Sequence, residues 1–352
     1  MITDSPEEVV VTEDNKGNDS SEADLRASAE LVVDTCFSVE EDDVVTIITD
    51  NRRSEEAEMV ATVVSERGGW PVVMNNDTQV RRALADTLFP MVPPRNLHQA
   101  MVTSDEIIIM TNLEWANRFA HVSAVKLSCL ANARIGSVEE GFGTWPISVS
   151  DIEQTIGNAR TAIAKLEGAQ LVRVTSPGGT DVTVSIADRP ALEVIPRKER
   201  GAMMGPVPLW GEVAYAAVED QTEGQIVIDG NMLGIGVPTN VESPITWHVE
   251  HGRYQAIEGK EEARKLRDTV AGVDGADIVG EFAFGTSDFA PYGSPSEKGR
   301  KGTVHFALGD NENCYPGGQN VSKLHLDGVV HNATLEIVES GEFILKDGEW
   351  QL

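Results

Sequence analysis

Five of the seven histidines fall in the last 105 residues, and several have a carboxylate close by in sequence. The sharpest case is Lys323-Leu-His-Leu-Asp327. On an extended strand, residues i and i+2 share a face, so His325 and Asp327 project side by side. An imidazole beside a carboxylate can supply two ligands to one metal ion, or one ligand and its bridging carboxylate. The outer face of an ordinary surface strand carries the same spacing, so the pair gains meaning from its neighbours.

Two neighbours matter. Gly302-Thr-Val-His-Phe-Ala-Leu-Gly-Asp310 sets His305 in the middle of an apolar strand closed by glycine. Gly280-Glu-Phe-Ala-Phe-Gly285 sets Glu281 at the start of an aromatic one. A lone His or Glu in such a strand is usually a hydrogen-bonded core group. Three such strands, each offering a hard or borderline ligand, point to a metal site. Upstream, Trp210-Gly-Glu-Val213 adds Glu212 after the rigid approach Gly205-Pro-Val-Pro-Leu209. His98, His121 and His331 lack such settings and read as structural or surface groups. His248 and His251, in Trp247-His-Val-Glu-His251, fall where an exposed hairpin is expected. Cys36, Cys129 and Cys314 are too sparse for a disulfide framework or a CxxC knuckle and read as small core residues, which fits a reducing, cytoplasmic location.

The elements that position these residues change character along the chain. Residues 1–24 hold eight acidic residues and one Lys, and read as a disordered acidic tail. Leu25, Ala29, Val32 and Cys36 then recur at helical spacing. Strand-like runs at 43–49, 70–74 and 106–110 alternate with helices at 54–67, where Ser54 is the expected N-cap, and 80–89, while 121–132 mixes both signals. Such alternation predicts a parallel sheet with crossover helices. A helix at 148–166 carries Ile152, Ile156, Ala159 and Ile163 on one stripe. Beyond it come short strands at 170–175, 180–186, 225–229, 245–250, 281–284, 302–308, 323–330 and 334–338, a helix at 261–270, and a terminal hairpin at 343–352. The expectation is an α/β N-terminal domain with a parallel sheet over 25–166, followed by a β-rich α+β C-terminal domain over 167–352 that carries the metal and the catalysis.

Composition narrows the function. The chain has 352 residues, 57 acidic and 28 basic, for a net charge of −29. Such a surface repels phosphate backbones and anionic membranes, so no nucleic-acid or membrane partner is expected. The acidic, Lys-poor balance also suits a saline medium, where salt screens self-repulsion. No apolar run approaches the ~18–20 residues of a membrane span, and Met1-Ile-Thr-Asp-Ser-Pro-Glu-Glu8 does not resemble a secretory signal. Neither GxGxxG nor GxxxxGK[ST] occurs, so no nucleotide motif is present.

In order, Gly-Glu-Val (211–213), Gly-Gln-Ile-Val-Ile-Asp-Gly (224–230), Gly-Glu-Phe-Ala-Phe-Gly-Thr (280–286), Gly-Thr-Val-His-Phe-Ala-Leu-Gly (302–309) and Leu-His-Leu-Asp (324–327) resemble the aminopeptidase T family of metallo-aminopeptidases. The resemblance spans nearly all of the C-terminal half; the N-terminal half matches in layout only. It implies a pair of divalent ions (Zn, Co or Mn) held by Glu212, Glu281, His305, His325 and Asp327. It implies Glu212 as a general base, Tyr315 as an oxyanion donor, and a homodimer acting on a small peptide or amide. In that family a Tyr follows the His-x-Ala-x-Gly motif closely, and Tyr315 is slightly displaced from that place. The same superfamily includes an iron(II) ring-cleaving enzyme, dihydroxypyridine dioxygenase, which the chain resembles in length and in segments 245–252 and 262–268. That enzyme uses two His and one Asp on a single iron; its first His falls near Glu281, and it lacks a counterpart of Glu212. The main reading is therefore a metal-dependent hydrolase, an aminopeptidase working through a metal-activated water. The alternative is a mononuclear iron(II) dioxygenase on a hydroxypyridine-like aromatic substrate, with His305, His325 and Asp327 as its facial triad.

Overall fold

The computed structural model describes residues 20–77, 95–111, 132–236 and 240–352. The expected helix at 80–89, most of the mixed stretch 121–132 with His121 and Cys129, and residues 1–19 of the acidic tail lie outside the described residues. Helix α1 (Glu22–Glu30) starts inside the stretch assigned to that tail, because Ser21 and Asp24 form a capping box. It runs on into a π-helical turn, Leu31–Cys36.

Four parallel strands follow: β1 (Val44–Thr49), β2 (Trp70–Asn75), β3 (Glu106–Met110) and β4 (Arg134–Ser137), in the order β2-β1-β3-β4. The β-branched runs of β1 and β3 are buried because helices cover both faces of this sheet. Alternation along β1 splits its side chains between two clusters. Val45 and Ile47 pack with α1 and α2 (Ser54–Glu66), and Ile48 packs with Leu97 and Met101 of α3 (Arg95–Val102). The N-cap of α2 is Arg53, not Ser54; the Ser54 hydroxyl instead donates to the Asp50 carbonyl at 3.1 Å.

Helix α4 (Val149–Lys165) opens on a second capping box, Ser148 with Asp151, and buries Ile152, Ile156, Ala159 and Ala162. Every later strand belongs to one of two antiparallel sheets. The eight-stranded sheet is built from β5 (Leu171–Thr175), β6 (Asp181–Ser185), β9 (Thr222–Ile228), β10 (Ile245–Glu250), β11 (Arg253–Glu258), β15 (Thr334–Ile337), β16 (Glu342–Lys346) and β17 (Glu349–Trp350). Helix α5 (Glu261–Val270) packs against β10 and β11. The five-stranded sheet has the order β14-β13-β12-β8-β7, from β7 (Leu192–Val194), β8 (Glu212–Ala216), β12 (Val279–Gly285), β13 (Val304–Gly309) and β14 (His325–Val330). The expected fold class, a parallel α/β part followed by a β-rich part, is the one found.

The five-stranded sheet has two unlike faces. One carries Tyr215, Phe282, Phe284 and Phe306, whose rings pack 6.0–6.3 Å apart around Phe282. These join a continuous apolar core that reaches back through α4 to α1. The other face carries small residues, Ala214, Ala216 and Ala283, against Tyr315. Small side chains leave room on that face for longer polar ones.

Candidate metal centre

Register gathers the polar residues on the small-residue face. Residues opposite each other on paired strands point to the same side. Glu212 pairs with Gly285, Glu281 with Ala216, His305 with Ala283, Asp327 with Ala307, and His325 with Gly309. Within each strand the next same-face positions are Ala or Gly: Glu-x-Ala-x-Ala at 212–216, Glu-x-Ala-x-Gly at 281–285 and His-x-Ala-x-Gly at 305–309. The φ of +111° at Gly309, where a Cβ would meet the Leu324 carbonyl oxygen at 2.1 Å, fixes the turn that lets β14 start beside β13.

All five residues expected from sequence converge. His305 Nε2 lies 3.2 Å from Glu281 Oε1 and 3.5 Å from Glu212 Oε2. His325 Nε2 lies 3.1 Å from both Glu281 Oε2 and Asp327 Oδ1. They form two compact ligand groups, Glu212–Glu281–His305 and Glu281–His325–Asp327, sharing Glu281. His305, His325 and Asp327, the expected facial triad, do not form such a group; Glu281 takes the place of His305 beside the β14 pair. Glu281 stands between the two imidazoles, with one oxygen toward each.

His325 Nδ1 lies 2.8 Å from the Asp310 carbonyl oxygen, which can only accept, so Nδ1 carries a proton. That bond orients the ring and turns Nε2 toward Glu281 and Asp327, the arrangement that a metal-binding His commonly has. The Tyr315 hydroxyl stands 3.3 Å from the same Nε2.

Sequence reasoning missed one member. Lys298 is buried, and its ammonium donates to Asp327 Oδ2 at 2.7 Å. It comes from a buried 3-10 turn, Pro295–Gly299, and sits 5.2 Å from the centre of the Trp210 ring. In sequence, Ser294-Pro-Ser-Glu-Lys-Gly-Arg300 looks like a polar loop, and no spacing marks Lys298. His331, expected to be a structural or surface group, is structural: its Nε2 contacts the buried carboxylate of Glu297 on that turn, and its Nδ1 lies 4.0 Å from Asp229. His248 and His251 occupy the β10–β11 hairpin as expected, beside Glu258 and Glu223. His98 is half-buried on α3, away from the cluster.

The electrostatics are those of charges awaiting a cation. Burial pushes Glu212 up to about 7, a rise that His305 and Lys298 only partly offset. Burial works the same way on Glu281, but His305 and hydrogen bonds to both imidazoles outweigh it and bring the carboxyl down to about 2. Asp327 stays far below the ordinary range: burial opposes this, and Lys298 and His325 prevail. Burial would deprotonate His305 and His325, yet the anionic surroundings raise both. Without a metal, the imidazoles therefore hold the protons that a cation would replace. Burial and the nearby acids also raise Tyr315, so its phenol stays a donor at neutral pH. Burial raises both described thiols, Cys36 to about 12; Cys36 lies in the core, whereas Cys314 is half-buried beside Asp310 and His325.

A divalent ion fits this set. Glu212 Oε2, Glu281 Oε2 and Asp327 Oδ1 are buried facing imidazole nitrogens at 3.1–3.5 Å, and His305 Nδ1 is buried without a hydrogen-bond partner. Burying such polar atoms is costly, and a cation would satisfy the three carboxylate oxygens. A narrow cleft reaches the cluster, lined by Glu212, Lys298 and Tyr315 together with Ser137, Met203 and Met204. Ser137 is the last residue of β4, so the cleft opens at the carboxyl end of the parallel sheet, where α/β folds commonly take ligands.

A family profile described as NicX: 2,5-dihydroxypyridine 5,6-dioxygenase matches residues 29–351. The chain belongs to this family. Among solved structures, 2,5-dihydroxypyridine dioxygenase from Pseudomonas putida KT2440 is similar with a TM-score of 0.74 at 17% identity, over 94% of this chain and 97% of that one. Wild-type AmpT from Thermus thermophilus is similar with a TM-score of 0.66 at 17% identity, over 94% of this chain and 99% of that one. No curated protein sequence matches. At this identity the two structures establish the shared fold, and the family match places the chain in a superfamily of metal-dependent enzymes. Both resemblances read from sequence are thus recovered, with the profile on the side of the dioxygenase. No helix among the described residues is long and apolar enough to cross a membrane.

Proposed function

We propose that this protein is a single-metal dioxygenase that opens a small hydroxylated nitrogen heteroaromatic ring. The observation that carries the reading is the NicX match across residues 29–351. The Glu281–His325–Asp327 group supports it by offering three ligands from one side. The set is one His and two carboxylates, whereas non-haem iron oxygenases commonly use two His and one carboxylate. Glu281 stands where the second imidazole is expected, and harder ligands still suit iron(II) or manganese(II).

In this reading Glu281, His325 and Asp327 hold the ion, which when bound supplies Lewis acidity and, as iron(II), electrons to engage dioxygen. The Asp310 carbonyl holds the His325 ring in its ligating tautomer. Tyr315, protonated at neutral pH, donates a hydrogen bond to a substrate oxygen in the cleft. Glu212, raised to about 7, can take a proton from a ring hydroxyl. Met203, Met204 and Trp210 line the cleft and suit a flat apolar ring. The chemistry balances without a reductant: one ring carbon–carbon bond breaks, both atoms of O2 enter the product, and the ring supplies the electrons.

The second reading is peptide hydrolysis, favoured by one observation. Glu281 presents one oxygen to each ligand group, as a carboxylate bridging two ions would. The two readings separate in one experiment. Protein loaded anaerobically with iron(II), then with zinc(II), is offered 2,5-dihydroxypyridine in an oxygen electrode and leucine p-nitroanilide in a spectrophotometer. The proposal expects oxygen uptake with iron alone and no nitroaniline release. Nitroaniline release with zinc and no oxygen uptake would overturn it.

A further inference from the structure

We propose that Lys298 is a resident cation that stands in for a second metal ion and holds the centre to one divalent ion per chain. The inference rests on the single-metal reading above and concerns what enforces it. Five ligand positions in two groups sharing a central carboxylate would ordinarily invite two ions. The side chains alone do not explain why only one would bind.

Charge supplies the explanation. With metal bound, the ligating carboxylates are ionised and the imidazoles neutral. Glu281 and Asp327 as ligands, and Glu212 beside them once it has lost its proton, then bring three negative charges, and the buried ammonium of Lys298 cancels one. One divalent ion neutralises the remainder. A second would leave net positive charge in a water-poor site, where uncompensated charge is heavily penalised.

Geometry acts in the same direction. Lys298 Nζ takes Asp327 Oδ2 at 2.7 Å, so Asp327 can offer a metal only Oδ1, the oxygen facing His325. Lys298 also shares the cleft wall with Glu212, a ligand of the second group.

The lysine is not free to swing away, because its turn is tied on both sides. Ser296 donates to the buried carboxylate of Glu139, just beyond β4, and Glu297 contacts His331, just beyond β14. A Cβ at Gly299 would come within 3.1 Å of the Trp210 ring, so this glycine lets the turn lie against Trp210. Fixed in this way, Lys298 is a positioning residue: it acts through the charge and orientation of Asp327.

The test is metal stoichiometry, with manganese(II) as the probe. Wild type, Lys298→Met, which keeps length and loses charge, and Lys298→Arg, which keeps charge, are dialysed against manganese(II). Bound metal is measured by mass spectrometry, and paired ions by their spin-coupled EPR signal. The proposal expects one ion in wild type and in Lys298→Arg, and two with a coupled signal in Lys298→Met. Lys298→Gln serves as a second neutral variant should the first not fold. One ion or none in the folded neutral variants would overturn the role of Lys298 and leave the oxygenase reading standing. Two ions in wild type would overturn it too, while oxygen uptake with iron(II) would decide that reading separately.

Discussion

Replacing Glu139 by glutamine should stabilise the metal-free protein at pH 8 and change it little near pH 5. Glu139 is fully buried just beyond β4, and its carboxyl accepts from the Ser296 hydroxyl. The nearest cation, Arg53, spends its guanidinium on Glu56 and on the carbonyls of Val138 and Glu139. Burial therefore dominates and raises the group from 4.5 to about 7, with Ser296 offsetting part of the rise. A raised carboxyl favours the neutral folded form, so its contribution is present below pH 4.5 and lost as pH climbs through about 7. Such a rise is worth about 3 kcal/mol. Glutamine keeps the shape and cannot ionise. Urea denaturation of wild type and Glu139→Gln, stripped with chelator, should show a gap that opens between pH 5 and 8 and favours the variant by about 2–3 kcal/mol at the top. A gap independent of pH, or one favouring wild type at pH 8, would refute the assignment.

Three other outcomes are expected. His325→Ala should lower bound divalent metal at least tenfold while far-UV circular dichroism stays native, because β14 keeps its backbone pairing. Tyr315→Phe should leave metal content unchanged and lower turnover by about 100-fold or more, since only a hydrogen-bond donor is lost. Gly285→Ala should destabilise the protein by about 2–3 kcal/mol in thermal or urea melts. Its Cβ would meet the Arg300 carbonyl oxygen at 2.1 Å, so the chain that follows the Lys298 turn must move.

Much of the site was legible because a strand's period of two leaves a plain trace. In 212–216, 281–285 and 305–309 an acid or His is followed at i+2 and i+4 by Ala or Gly, while larger apolar residues alternate with them. That is one crowded face and one open face, written in sequence. The same logic put His325 beside Asp327. Lys298 was not legible, because a short 3-10 turn has no comparable period and its burial depends on contacts with Glu139, His331 and Trp210, far away in sequence. The partner of His331 was out of reach for the same reason: Glu297 lies 34 residues away. The grouping of ligands was also beyond spacing alone. Sequence could pair His305 with His325 and Asp327, but only the register of β12 between β8 and β13 shows that Glu281 separates the imidazoles. Three strands of the N-terminal sheet were read from their β-branched runs; β4, the short Arg134–Ser137 with only one β-branched residue, was not, and the cap of α2 shifted by one residue, to Arg53.

The most direct test of the central claim follows the oxygen atoms. Protein reconstituted with iron(II) is mixed with 2,5-dihydroxypyridine under 18O2, and the product is analysed by mass spectrometry alongside the iron content of the chain. The account predicts about one iron per chain and a ring-opened product carrying two 18O atoms for each O2 consumed. An intact ring with no oxygen consumed, while 18O from labelled water appears in the carboxylate of a cleaved leucine amide, would contradict it.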